Sequence, residues 1–414
     1  MKEWLRRASD AGWRDDNGRT EPSWPVRALR TPRLLLDRAL GRRDFSDEVL
    51  EAMDGCLSCK ACAGSCPVKV SVPEFRSEFL FHYHRRRPRP WRDRLIGGLE
   101  ERLPALVRHA RLLNALASIP PLRAIAEHLT GLVDAPRLAE TPPARRLAAM
   151  GVEVASIDAL ASLSPPESPL AEAILLQDAF TSFLDPEALD AAVALLLRLG
   201  VRVRVAEPFP SGKGWHVKGH LGRFETLARA NLDRLERLAR SGRPLVGVDP
   251  ATTLVFRDEL PKALGRAAEE VPEVLLLPEL LDRLPATAFK GLRDAHAGRA
   301  GDPPVRFLRH CTREALAPDA AAAWRRVFAR AGLDLEPVRA GCCGMGGAWG
   351  HERPNAADSR GIFGLSWAAE LPHEESAWDR LAVEGFSCRS QVDRICGQRP
   401  RSPAEVLLGA RRDG

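Results

Sequence analysis

The second half of this 414-residue chain repeats itself. Shifted by 132 positions, "AFTSFLDPEALDAAVALLLRLG" (179–200) lies over "CTREALAPDAAAAWRRVFARAG" (311–332), with Pro186 on Pro318 and Gly200 on Gly332. The register continues into the next loop, where "PSGKG" (210–214) falls on "CCGMG" (342–346). After a four-residue slip, "LVGVDPATTL" (245–254) covers "LAVEGFSCRS" (381–390). Glycine and proline dictate backbone geometry, so their agreement outweighs that of the alanines and leucines between them. Short apolar runs ("AILLQ", "VRVRV", "PLVGVD") alternate with amphipathic helical stretches. The longest of these sets Phe224, Leu227, Ala228, Leu232, Leu235 and Leu238 in one stripe. Strand, helix and strand in alternation imply right-handed crossovers and a parallel sheet. Two copies of one α/β unit are therefore expected, over 169–300 and 301–414, and only the second carries cysteines.

In that second copy Cys311, the neighbours Cys342 and Cys343, and Cys388 fall in loops at one end of the expected sheet, where ligands of parallel sheets bind. Four thiolates there suit a metal centre, iron–sulfur first and zinc second. Adjacent cysteines among glycines are poor core filler. The first copy has Ala179, Pro210, Ser211 and Thr252 at the matching places. Cys396 reads as an ordinary thiol, and His310 and His351 as structural groups. "PSGKGWHVKGH" (210–220) lacks the spacing of a phosphate loop and reads as the cysteine-free copy of the glycine loop.

The first half is helical around a ligand loop. "GCLSCKACAGSCPVKV" (55–70) has the order C-x2-C-x2-C-x3-C-P, an iron–sulfur signature, whereas zinc sites show two separated pairs. In two-cluster ferredoxins the fourth cysteine of such a run serves the other cluster. Cys56, Cys59 and Cys62 are accordingly expected at three corners of one [4Fe-4S] cluster, with Cys66 reaching another. The competing arrangement is a self-contained cluster on all four. Ser46 is expected to cap a helix that Gly55 ends, and 73–86 and 91–130 read as helices broken at prolines 88, 90, 104, 120 and 121. "SLSPPESP" (162–169) reads as a linker. The expected fold is α+β and multidomain: a helical ferredoxin-like N-terminal domain over 1–95, a helical linker over 96–168, then the two α/β repeats.

Composition narrows the class further. No stretch holds eighteen uncharged apolar residues, and the first thirty contain no leader-like apolar core, which reads as a soluble cytoplasmic protein. Nine cysteines, an odd number, suit metal ligation in a reducing compartment better than a disulfide framework. The net charge of +6 is arginine-biased, with seven lysines among 61 basic residues. Its densest run, "HYHRRRPRPWRDR" (82–94), reads as a solvated helix end, with peripheral contact to acidic lipid or an acidic protein as the alternative. No nucleic-acid motif accompanies it, and no nucleic-acid partner is expected.

The stretches "CLSCKACAGSCPVKVSVPEFRSEFL", "QDAFTSFLDP", "PSGKGWHVKGH", "VDPATTLVFRDEL", "HCTRE", "GCCGMGGAWGHE", "SRGIFGLSW" and "GFSCRSQVDR" together resemble a known family. It is the C-terminal iron–sulfur half of FAD-binding and (Fe-S)-binding oxidoreductases of the D-2-hydroxyglutarate and D-lactate dehydrogenase type. The later half is also similar to the CCG cysteine-rich domains of glycolate oxidase iron–sulfur subunits, anaerobic glycerol-3-phosphate dehydrogenase subunits and heterodisulfide reductases. The resemblance implies CCG-type repeats, the first cysteine-free. It also implies an electron-transfer module that takes electrons from FAD on another domain or partner chain and passes them to a downstream acceptor. Two other readings stand beside it: thiol–disulfide chemistry of the heterodisulfide reductase kind at the CCG site, and a structural zinc protein.

Overall fold

The computed structural model describes residues 3, 4, 6, 7, 45–68, 70–166, 168, 170–299 and 301–409. Most of the 1–44 part of the expected first domain, and residues 167 and 169 of the expected linker, lie outside the described residues. The first half is helical: α1 (Phe45–Asp54), α2 (Ala61–Ser65), α3 (Val72–Arg86), α4 (Trp91–Gly97), α5 (Leu99–Val107), α6 (Ala110–Ser118) and α7 (Pro120–Thr130). Ser46 lies within α1, and its hydroxyl accepts a hydrogen bond from Trp4 Nε1 at 3.0 Å. Pro104 sits inside α5, so the break falls at Gly98 instead. Pro120 and Pro121 open α7, where a missing N–H costs nothing.

Two parallel sheets follow. The first contains β1 (Val154–Ala155), β2 (Glu172–Leu176), β3 (Arg202–Ala206), β4 (Leu245–Gly247) and β5 (Val274–Leu276), in the order β1-β3-β2-β4-β5. Between its strands run α8 (Ala179–Phe183), α9 (Pro186–Arg198), α10 (Lys213–Val217), α11 (Leu221–Ala239) and α12 (Pro250–Thr253), and α13 (Leu277–Arg283) follows β5. The second contains β6 (Val305–Leu308), β7 (Leu335–Val338) and β8 (Leu381–Val383), in the order β7-β6-β8. Its helices are α14 (Cys311–Leu316), α15 (Asp319–Arg330), α16 (Ala356–Ser366), α17 (Phe386–Cys396) and α18 (Pro403–Leu408).

The arrangement β3-β2-β4 in one sheet is that of β7-β6-β8 in the other, at the offsets found by self-comparison. The matched glycines share a backbone conformation as well. Gly200 and Gly332 have φ of 82° and 81°, and Gly212 and Gly344 both have 84°, left-handed values that only glycine adopts without strain.

The units are joined by reciprocal packing. Helix α9 of the first lies on α18 of the second, and α15 of the second lies on α13 of the first. Leu189, Leu196, Leu280, Leu281, Trp324, Phe328, Val406 and Leu407 meet in one buried core that reaches both sheets. A fully buried side chain of this kind contributes about 1.5–3 kcal/mol through its removal from water. Asp185, just before α9, anchors the seam. It accepts from Arg389 Nε and Arg399 Nε, each at 2.7 Å, and is 4% exposed.

Burial alone raises the Asp185 pKa, and Arg389 and Arg399 more than reverse that, holding the carboxyl below its ordinary value. A depressed folded pKa gives stability that is present above the unfolded value and lost as pH falls through the folded one. Asp185→Asn leaves the buried Arg389 guanidinium without its carboxylate, while half-buried Arg399 keeps Glu405, and should cost about 3 kcal/mol in denaturant unfolding at pH 7. The deficit should shrink below about pH 4, the ordinary range of an aspartate.

Candidate thiol centre

In both units the loops after the strands converge where the units meet. Phe180, one residue into α8, stacks on Phe386 at the start of α17 with centroids 5.6 Å apart. Asp249 caps α12 and also accepts from Phe386 N at 2.8 Å. The loop 341–347 sits at the end of β7, and its glycines permit close approach on two sides. A Cβ on Gly344 would fall 2.2 Å from Ser359 O of α16, and one on Gly346 would fall 2.8 Å from Leu57 O. The second contact brings the ligand loop of the first half onto the second α/β unit. Trp349 Nε1 donates to Asp54 O at 2.9 Å, and a Cβ on Gly64 would fall 3.2 Å from the Ala315 backbone of α14, reinforcing that docking.

Docking carries Cys59 into the second cysteine group. The Cys311 thiol is electrostatically linked to both Cys342 and Cys59, and Cys343 to both Cys342 and Cys388. Its thiol neighbours Cys311 and then Cys343 lower the Cys342 pKa, and Gly344 N donates to its sulfur at 3.4 Å. Cys311 also lowers Cys59, to about 7. Contact with their neighbours pushes Cys311 and Cys343 well above the ordinary thiol value.

The remaining cysteines of the first run are placed differently. Cys56 borders the same cavity as Cys59, Cys62 is exposed, and Cys66 is half-buried one helical turn from Cys62 across α2. Cys396 is exposed at the far end of α17. Among the described residues no three His, Cys, Asp or Glu side chains surround one metal-sized point; the thiols form a string.

A cavity of about 160 Å³ lies between the ligand loop and the two units, bordered by Cys56, Cys59, Cys311 and Cys343. Its walls are mainly apolar, with Ile96, Phe180, Val217 and Trp349 among them. Ser58 Oγ, His310 Nδ1 and His351 Nε2 belong to cavity-lining residues and are buried without a hydrogen-bond partner among the described residues. Unsatisfied buried polar atoms beside free thiols fit a site that holds a further group, and thiolates are the donors a soft metal or iron–sulfur cluster takes.

The loop is held in a costly conformation. Ser58 and Lys60 have φ of 57° and 62°, in the left-handed region. Lys60 is 2% exposed, pairs with Glu259 at 2.8 Å and also bonds Asp258, while Lys213 bonds the same Glu259. Burial favours a neutral Glu259, but Lys213 and Lys60 outweigh it and keep the group ionised. Sequence reasoning brought the four later cysteines together but missed Cys59 as their neighbour and this lysine–carboxylate knot. The lysine of "PSGKG" was the available signal: it replaces a cysteine-loop residue with a charge that needs a buried partner.

Comparison with known proteins adds the following. The chain is 41% identical over 414 residues to D-2-hydroxyglutarate dehydrogenase of Pseudomonas putida, a match covering 99% of this chain and 39% of that protein. It is 38% identical over 415 residues to D-2-hydroxyglutarate dehydrogenase of Escherichia coli, and 36% over 417 to that of Pantoea ananatis. Each match again spans 39% of the relative, so this chain corresponds to well under half the length of the curated proteins it resembles. No family model matches, and no solved structure matches.

Gly346 and Gly347 separate close approach from backbone strain. Both have positive φ, 53° and 67°, but a Cβ on Gly347 meets nothing within 4 Å. Gly347→Ala should cost only the left-handed penalty of about 1 kcal/mol. Gly346→Ala should cost about 1–3 kcal/mol more by pushing Leu57 away, and should speed alkylation of Cys59, read by mass spectrometry under native conditions. Equal alkylation rates in the two variants would show that the contact does not hold the loop.

Proposed function

We propose that this chain is the iron–sulfur electron-transfer part of a flavin-dependent 2-hydroxy-acid dehydrogenase, cytoplasmic, with the FAD carried on another domain or partner chain. The supporting observation is the meeting of the two cysteine groups: the ligand loop rests on the glycine loop of the second α/β unit, and Cys59 and Cys311 line one cavity. The resemblance to D-2-hydroxyglutarate dehydrogenases over 99% of the chain supports an oxidoreductase acting on 2-hydroxy acids. In this reading Cys56, Cys59 and Cys62 hold three corners of a [4Fe-4S] cluster in a ferredoxin-like domain, and Cys66 reaches another cluster. Cys311, Cys342, Cys343 and Cys388 hold a second iron–sulfur or zinc centre in a CCG-type repeat. Bound there, an iron–sulfur cluster exchanges single electrons and breaks no substrate bond.

The chain's own residues prepare the site. Gly344 N points at the Cys342 sulfur and stabilises it as thiolate. Lys60, buried and paired to Asp258 and Glu259, fixes the turn that presents Cys59. Phe180, Phe386 and Trp349 line the cavity beside Cys59, Cys311 and Cys343 with aromatic surface, which lowers the local dielectric. The first unit, with Ala179, Pro210, Ser211 and Thr252 at the equivalent positions, contributes structure and the Lys213 counter-charge but no thiol.

Ligands of one centre act together, so loss of one thiolate releases most of the metal. Cys343→Ser should lower the metal bound per chain after anaerobic purification, whereas Cys396→Ser should leave it unchanged. Combined with the flavin-bearing partner and given D-2-hydroxyglutarate or D-lactate, the iron–sulfur absorbance should bleach. Absence of bleaching with intact clusters and reduced flavin would reject the electron-transfer reading. Zinc without iron would decide for a structural zinc protein.

A further inference from the structure

The hairpin α6–α7 carries an apolar stripe that no described element covers. On α6, Leu112 and Leu116 lie on the face opposite buried Ala110 and Asn114, and Ile119 continues their line. On α7, Leu122, Ile125 and Leu129 recur at spacings of three and four, one face of a helix, and no residue of this helix is buried. Leu112 is 60% exposed, Ile125 56% and Leu129 63%. Single exposed leucines are unremarkable, but six large exposed aliphatics on two neighbouring helices mark an interaction surface.

The charge around the stripe is mainly positive. Arg108, Arg111 and Arg123 flank it, and the one acid of the two helices, Glu127, is engaged with Asp134 N at 3.4 Å. Glu100 and Glu101 of α5 turn inward, to Ser211 and to Trp215 and Arg223. Arg111 reaches Glu140 at 3.5 Å in an exposed pair, which holds it weakly. A Cβ on Gly131, at the end of α7, would fall 3.2 Å from the Arg92 side chain, so the basic run 85–94 and Trp91, 55% exposed, flank the same end.

We propose that α6–α7 docks this chain on an anionic lipid surface. The leucines and isoleucines enter the headgroup boundary, and the arginines meet lipid phosphates. A protruding hairpin with an aliphatic edge and an arginine rim suits a fluid boundary, which needs no matching shape and attracts cations. No described helix is long and apolar enough to cross a membrane, so the hairpin lies on the surface rather than spanning it. This inference is independent of the electron-transfer reading.

Vesicle flotation of the full chain tests it. Phosphatidylcholine vesicles with about one-third phosphatidylglycerol should float the chain, and pure phosphatidylcholine much less. About 0.5 M salt should release most of it. Ile125→Glu combined with Leu129→Glu should lower the floated fraction about tenfold or more, and Leu112→Glu, on the other helix, should also lower it, with melting temperatures unchanged. Failure to float with anionic vesicles, or equal flotation of wild type and the double variant, would overturn the proposal. A wild-type dimer, or a complex with a flavoprotein, that the double variant disrupts while neither protein floats would assign the face to a protein and overturn it equally.

Discussion

The contact between Leu57 and Gly346 is the constraint from which the rest of the site follows. Only a glycine there lets the backbone of the ligand loop lie on the loop after β7. The approach fixes where Cys59 stands, and with it which thiols touch. The left-handed Ser58 and Lys60 are part of the same event. Strain of this kind persists only when surrounding contacts over-determine it. Here the buried pairing of Lys60 with Asp258 and Glu259, and the hydrogen bond from Trp349 to Asp54 O, do so. Two residues of that brace, Asp258 and Glu259, belong to the cysteine-free first unit. A unit that presents no thiol thus supplies the charge that shapes the thiol loop.

The reciprocal helix contacts give this arrangement a rigid base. Helix α9 on α18 and α15 on α13 are equivalent contacts made twice, as in a symmetric dimer within one chain. Because the packing is shared, the strand ends of both units face each other, and Phe180 stacks on Phe386 across the seam. The Asp185 cluster with Arg389 and Arg399 ties the same seam by charge. A change at the seam is therefore felt at the thiols, since α17 carries Arg389 one residue after Cys388.

Much of the fold was legible in the sequence, because the repeat rests on residues whose backbone roles are unambiguous. Gly212 and Gly344 agree in sequence and in conformation, as do Gly200 and Gly332. The strands around "AILLQ", "VRVRV" and "PLVGVD" were legible as apolar runs between amphipathic helices. Cys311 and Cys388 stand at the strand ends where the repeat puts them, at the starts of α14 and α17. The turn of Cys59 toward Cys311 was not legible, because it depends on a contact spanning some 250 positions that no local pattern encodes. Lys60 was equally hidden: a lysine inside a cysteine loop reads as solvated until its buried partners are known. The stripe on α7 is visible as a periodicity, but sequence alone does not say whether a neighbour covers it.

The most direct test is electron resonance with iron analysis on the anaerobically reconstituted chain, comparing Cys59→Ser with Cys62→Ser. If Cys59 stands between the two cysteine groups, its replacement should alter the signals of both centres, while Cys62→Ser, on an exposed thiol, should alter only the N-terminal one. A Cys59→Ser spectrum in which the centre at Cys311, Cys342, Cys343 and Cys388 is unchanged would contradict the shared site.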